Sequence, residues 1–171
     1  MAMVLDVRPE TPADRKAIRA VIEAAFRENS HSNATEAEII DGLRDAGALG
    51  LSLVAVDPEG GIFGHIAFSP VSIGSGESGW YGLGPIGVWP QHQRQGVGTA
   101  LVTDGLSRLE GLGARGCVLL GGPAFYGRFG FVSDPALTYR GLPARFVQRL
   151  VIAPPVPQGE ITYHPAFDLA A

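Results

Sequence analysis

The chain has 171 residues, a formal net charge of −4, 46% apolar and 18% charged residues, the make-up of a single globular domain over residues 1–171 that can bury a core without disulfides or a structural metal. Its basic residues form no stripe and Lys16 is its only lysine, which argues against broad electrostatic binding to nucleic acid. Cys117 is its only cysteine, no apolar run is long enough to span a bilayer, and the N-terminus lacks a signal-peptide pattern, so a soluble, cytoplasmic protein without a membrane partner is expected.

In chain order, Val4 to Arg8 reads as a short strand. Thr11 can cap a helix with Pro12 at its first position, and Ile18, Val21, Ile22, Ala25 and Phe26 then form an apolar stripe. Asn29 to Thr35 reads as a loop, and Glu36 to Asp45 as a second helix with Ile39, Ile40 and Leu43 on one side. Leu51 to Val56, Ile62 to Ile73 (with a bend at Pro70) and Trp80 to Trp89 read as an antiparallel meander. A polar turn, Pro90 to Gly98, leads into a helix with the stripe Val97, Leu101, Val102, Leu106 and Leu109, and then into the strand Cys117 to Leu120. Strand, crossover helix and strand imply a parallel pair. Gly122-Pro123 opens a short helix through Arg128, and Gly130 to Val132 begins another strand. Val147 to Ile152 and Ile161 to His164 are the remaining strand candidates. Cys117, in an apolar run, reads as a buried small hydrophobe, and Trp80 and Trp89 as packing residues.

The chemistry concentrates between Trp80 and Phe131. Gln93-Arg94-Gln95-Gly96-Val97-Gly98 lies between a strand and a helix, where the first N–H groups lack helical partners and the dipole favours an anion such as a diphosphate. Two other phosphate motifs do not fit. A P-loop needs Gly-Lys-Ser/Thr, whereas Gly98 is followed by Thr99; the dinucleotide fingerprint needs a third glycine where Leu101 stands. In the preceding strand, Pro85 cannot donate to a ladder and implies a bulge or a free edge, with Gly84 and Gly87 baring the backbone beside it. An extended ligand with amides, such as pantetheine, can fill such a gap as a peptide adds a strand.

Leu83-Gly84-Pro85-Ile86-Gly87-Val88, Gln93-x-x-Gly96-x-Gly98 and Phe125-Tyr126-Gly127-Arg128-Phe129-Gly130-Phe131, in this order, resemble the GNAT superfamily of acyl-CoA N-acyltransferases. Ile62 to Pro70 together with Tyr126 to Phe131 are similar to a bacterial subgroup mostly of undefined acceptor. The resemblance implies an α/β fold: a central mixed, mostly antiparallel sheet with a splayed parallel strand pair and flanking helices. It further implies acetyl transfer from acetyl-CoA, as cosubstrate, to an amine by direct attack, without a metal. The backbone of Ile86, Gly87 and Val88 would hold pantetheine, and the amides of Arg94, Gln95, Gly96, Val97, Gly98 and Thr99 the diphosphate. Tyr126 falls where many members keep the tyrosine that protonates the leaving thiolate. Many relatives carry an asparagine after the strand that here ends at Leu120; this chain has Gly121-Gly122-Pro123-Ala124, which implies a backbone contact instead.

An alkylammonium with a pKa near ~10 must lose a proton before it attacks. The strand Trp80 to Trp89 holds no carboxylate, which leaves His65 and Glu36, and also Glu38, His31 and Glu28, as candidates for the base or for the acceptor pocket. Without an evident base, an acyl-CoA-binding sensor without turnover is the alternative reading. Acceptor, acyl length and oligomeric state, a homodimer among the options, stay open.

Overall fold

A computed structural model describes residues 5–27, 35–74, 76 and 78–168. Strand β1 (Asp6–Pro9) leads through a 3₁₀ turn, Pro12–Asp14, into helix α1 (Arg15–Phe26). Asp14 fixes this entry: its carboxylate accepts from the Thr11 N–H at 2.7 Å and from the Arg8 guanidinium at 2.7 Å. Helix α2 (Glu36–Asp45) follows, with Ile39, Ile40 and Leu43 buried. Strands β2 (Leu51–Val56), β3 (Ile62–Ile73) and β4 (Trp80–Val88) form the antiparallel meander. Helix α3 (Val97–Gly111) crosses to β5 (Gly116–Leu120), which runs parallel to β4. Next come α4 (Pro123–Tyr126), a 3₁₀ turn at Gly127–Phe129, β6 (Val132–Ser133), β7 (Leu137–Thr138), β8 (Val147–Val151) and β9 (Gly159–Thr162). A last 3₁₀ turn spans Pro165–Asp168. No helix among the described residues is long and apolar enough to cross a membrane.

The sheet order is β1-β2-β3-β4-β5-β8-β6, with β9 joining the far end of β3 and pairing in parallel with β7. Helix α3 covers one face, over a core of Leu53, Ile66, Phe68, Leu83, Leu101 and Leu109. Ile18 and Ile22 of α1 and Ile40 of α2 cover the other, against Val54, Val56 and Ala67. Trp80 packs with Ile73, Val118 and Ile161, and Cys117 is buried. The expected α/β architecture is therefore present. At Pro70 the pairing with Tyr81 of β4 continues, while on its other side β3 leaves β2 after Phe68 and meets β9 from Ser72. The first and last strands are shifted relative to the sequence reading, β7 was not anticipated, and Val4 and residues 29–34 of the expected loop lie outside the described residues.

Two irregularities shape the centre. Ile66 faces Ile86 and Phe68 faces Leu83, so β4 carries one extra residue opposite Ala67. This is the bulge expected at Pro85, and Gly84 takes it up with φ 133°, open essentially only to glycine. Second, β4 pairs with β5 only over Trp80–Gly82 and Gly116–Val118. Beyond Gly82 the two strands separate; β5 stays with β8 to Leu120, and Leu83–Val88 keep only β3 as a strand partner.

His65 lies within the sheet, fully buried, with Nε2 2.7 Å from Ser52 Oγ. The Ser52 hydroxyl donates to the Glu10 carboxylate, so it accepts from His65, which fixes the Nε2–H tautomer. Glu10 is paired with Arg44 at 3.0 Å. Burial pushes the His65 pKa down to about 4, against the pull of Glu10, so the ring is neutral in the fold. An unfolded histidine titrates near ~6.5, so the unfolded chain binds the extra proton between these values and stability falls as pH drops from about 6.5 towards about 4. Urea unfolding across this window is expected to show a slope in His65→Gln shallower by up to ~1.4 kcal/mol per pH unit; equal slopes would contradict the buried neutral ring.

Candidate functional site

After Val88 the chain makes a 3₁₀ turn at Pro90–His92 and reaches α3 through two left-handed residues, Arg94 (φ 62°) and Gly96 (φ 86°). A Cβ on Gly96 would have nothing within 4 Å, so this glycine is required by conformation rather than by crowding. Side chains hold the turn: Gln93 Nε2 donates to Val88 O at 3.1 Å and Gln95 Nε2 to Gln91 O at 3.4 Å. The helical ladder begins with Ala100 N–H to Gly96 O at 3.0 Å, so the N–H groups of Val97, Gly98 and Thr99 have no partner within the helix. Gly98 and Thr99 line a cleft of about 410 Å³, together with Val88, Gln93, Arg94, Gly96, Phe125 and Arg128. Gln95 is exposed in the turn, while the Val97 side chain points into the core. The Arg128 guanidinium sits 4.6 Å over the Phe125 ring, and neither Arg94 nor Arg128 pairs with a carboxylate among the described residues.

The direction of the β4 backbone follows from one bond. Trp89 N–H donates across to Phe63 O at 2.9 Å. Peptide groups alternate along a strand, so Val88 and Ile86 turn their N–H and C=O away from β3, into the gap, and Gly87 turns toward β3. The bond from Gln93 to Val88 O on the gap side agrees. Gly87 thus differs from the sequence expectation. A Cβ there would lie 2.9 Å from Ala25 Cβ, so the missing side chain admits α1 onto this face of the sheet.

At the other end of the open edge is a groove of about 240 Å³. Leu83, Gly84 and Pro85 of β4 and Leu120 at the tip of β5 form its floor; Phe26, Glu36 and Ile39 come from α1 and α2, and Tyr139, Tyr163 and Phe167 from the C-terminal third. The Tyr163 ring meets Tyr139 edge-on at 5.4 Å and Phe167 at 4.9 Å. A Cβ on Gly82 would lie 2.5 Å from the Tyr163 ring, so the aromatic cluster rests where β4 and β5 part.

Tyr126 belongs to neither lining but adjoins both. It packs edge-on against Phe125 at 4.9 Å and lies over Gly121, the residue after Leu120, whose absent Cβ would be 2.9 Å from its ring. Burial, with a smaller contribution from Cys117, pushes the Tyr126 pKa up to about 12. Of the candidate bases, Glu36 lines the groove; His65 is sealed beneath the sheet surface in the Ser52–Glu10 cluster, Glu38 is paired with Arg19 at 2.8 Å, and Glu28 and His31 lie outside the described residues. Sequence reasoning missed Arg128, Tyr139, Tyr163 and Phe167. Arg128 stood inside the quoted Tyr126–Phe131 segment, but the three C-terminal rings carried no local signal.

A family model for the acetyltransferase (GNAT) domain matches residues 49–133. The chain is 38% identical over 125 residues to the uncharacterized N-acetyltransferase YhbS of Escherichia coli (strain K12), across 73% of this chain and 72% of that protein. The crystal structure of a GNAT family acetyltransferase from Brucella melitensis in complex with acetyl-CoA is 49% identical and superposes with a TM-score of 0.86, over 97% of this chain and 99% of the other. That of Escherichia coli YhbS in complex with CoA is 33% identical with a TM-score of 0.86, over 100% and 96%. With the splayed β4–β5 pair and the open α3 N-terminus, these matches establish that the chain belongs to the GNAT acetyltransferase family.

Proposed function

We propose that this protein, acting as one domain, transfers the acetyl group of acetyl-CoA to an amine by direct attack. The observation that carries the reading is the open edge of β4 from Leu83 to Val88, which joins the aromatic groove to the donors at the start of α3. The relatives that are 49% and 33% identical hold acetyl-CoA and CoA in their crystal structures, which supports it. The N–H groups of Val97, Gly98 and Thr99, with Arg94 and Arg128, supply donors and positive charge for the diphosphate. The gap-facing amides of Ile86 and Val88 suit an extended pantetheine arm, and one of them suits the thioester oxygen.

In the reaction the ammonium first gives up one proton to solvent; the amine lone pair then forms the C–N bond, the C–S bond breaks, and the second proton lost by nitrogen is matched by the one taken up by the thiolate. Among the described residues of the groove wall Glu36 carries a carboxylate, placed on the acceptor side of the proposed reaction. Tyr126, a neutral phenol at pH 7, is the donor to the departing sulfur.

Thiol release from acetyl-CoA over an amine panel separates an enzyme from a binding-only sensor. Tyr126→Phe is expected to lower kcat by ~10- to 100-fold, the worth of a hydrogen bond to a charged group, with acetyl-CoA affinity changed less than about twofold; unchanged turnover would remove Tyr126 from the mechanism. Arg94→Ala and Arg128→Ala are each expected to weaken acetyl-CoA binding by ~10-fold in calorimetry and to reduce its dependence on salt. Wild-type affinity in both would move the diphosphate elsewhere.

A further inference from the structure

The short helix that carries Tyr126 has little structure of its own. Helix α4 is four residues long and follows Gly121-Gly122, two residues without side chains to fix them. The Tyr126 ring rests on Gly121, where a Cβ would lie 2.9 Å from it, and the Tyr126 N–H reaches Gly122 O at 3.4 Å. Of its aromatic neighbours, Phe125 moves with the same helix and Phe131 is 6.1 Å away. The place of the ring therefore follows the place of the glycine pair.

Strand β8 and the residue before it supply the anchor. Gly121 N–H donates to Phe146 O at 2.9 Å, and Gly121 O accepts from Gln148 Nε2 at 2.7 Å. Gln148 stands opposite Leu119 in the β5–β8 ladder, so its side chain shares the face of the sheet on which Leu119, Gly121 and the Tyr126 ring meet. A carbonyl only accepts, which turns Nε2 toward Gly121 and Oε1 away from it. Oε1 is buried and has no partner among the described residues.

Resting on the role given to Tyr126 above, we infer that Gln148 is a positioning residue for acetyl transfer: by holding Gly121 O from β8, it sets where the Tyr126 hydroxyl meets the departing sulfur. Stability does not account for a glutamine here. One hydrogen bond is gained and one buried acceptor is left unpaired, and the second effect offsets the first. A methionine of similar length fills such a site without a strong acceptor to satisfy. What the amide adds is a fixed tie between the carbonyl ahead of α4 and a strand that is itself held to β5 from Val147 to Val151.

The test reads the sulfur directly and needs no acceptor. CoA is bound to the full chain, and the thiolate-to-thiol ratio of its sulfur is taken from thiolate absorbance at pH ~8.5, near the pKa of a free thiol, with protein loaded with desulfo-CoA as the blank. A donor to sulfur favours the thiolate. Tyr126→Phe is expected to lower the ratio ~10-fold, and Gln148→Met ~3- to 10-fold. In the Tyr126→Phe background Gln148→Met is expected to lower it no further, because Gln148 acts through the ring. Gly121→Ala, which puts a Cβ against the ring, is expected to lower the ratio with Gln148 in place. Affinity for acetyl-CoA, which carries no thiol, and the melting temperature of Gln148→Met are expected to stay near wild type. A wild-type ratio in Gln148→Met or in Gly121→Ala overturns the inference, as does an equal loss from Gln148→Met with and without the Tyr126 hydroxyl. A Gln148→Met protein that melts well below wild type marks a structural amide and overturns it too. A wild-type ratio in Tyr126→Phe removes the tyrosine's role and the inference with it, whereas a protein that binds neither CoA nor acetyl-CoA removes the acetyltransferase reading as a whole.

Discussion

A strand edge inside a protein must satisfy its N–H and C=O groups or lose free energy at each of them, so a sheet that opens in its middle requires a reason and a substitute partner. In this molecule β4 and β5 share only three residue pairs before they separate. The separation is built into β4 itself. The extra residue at Gly84–Pro85 breaks the register with β3, Pro85 has no N–H to donate, and the Tyr163 ring lies over Gly82 at the last shared pair. On the other side β5 is held to its tip by β8, from Gly116↔Val151 to Leu120↔Val147, so it cannot follow β4. A gap therefore opens between two strands that are each anchored from behind.

The two ends of that gap differ in electrostatics. Many cations elsewhere in the protein are neutralised: Arg8 by Asp14, Arg19 by Glu38 and Asp41, Arg44 by Glu10, Arg149 by Asp134 and Arg140 by Asp168. Arg94 and Arg128 instead face a cleft at the positive end of α3. The opposite end has Glu36 and a wall of rings. A chain with a net charge of −4 thus reserves a local positive field for one end of the gap.

What could be read from the sequence follows the range of the interactions involved. The meander, the turn and α3 are contiguous, and their residue types report local demands: Gly96 a positive φ, Pro85 a missing donor, Val97 and Leu101 a buried stripe. These were legible. Gly87 was legible as a special position but not for its cause, because the atoms that exclude a Cβ belong to α1, more than sixty residues earlier. The alternation that put His65 on one face of β3 says nothing about what covers that face; Ser52 and Glu10 reach it from β2 and from just beyond β1. The groove was the least legible part. Its walls come from α1, α2, β4, β5 and three separate C-terminal positions, joined only when β9 docks on the far end of β3 and carries β7 beside it.

The burial of Tyr126 constrains how the proposed reaction can end. Burial pushes its pKa up to about 12, above the ~8.5 of a free thiol, so the phenol is a poor source of a fully transferred proton. A hydrogen bond from the same phenol to the developing sulfur charge costs no such transfer and is worth ~1.5–3 kcal/mol. In the proposed reaction the second effect would prevail: Tyr126 would stabilise the leaving sulfur as a donor while keeping its proton. The proton that finally neutralises the thiolate is then the one released by the ammonium product of the attack, whose acidity far exceeds that of the buried phenol. On this account the dry setting of Tyr126, packed between Phe125, Phe131 and Gly121, preserves the neutral donor, and a wetter or more cationic pocket that lowered its pKa would move it toward an acid that can be consumed in each cycle.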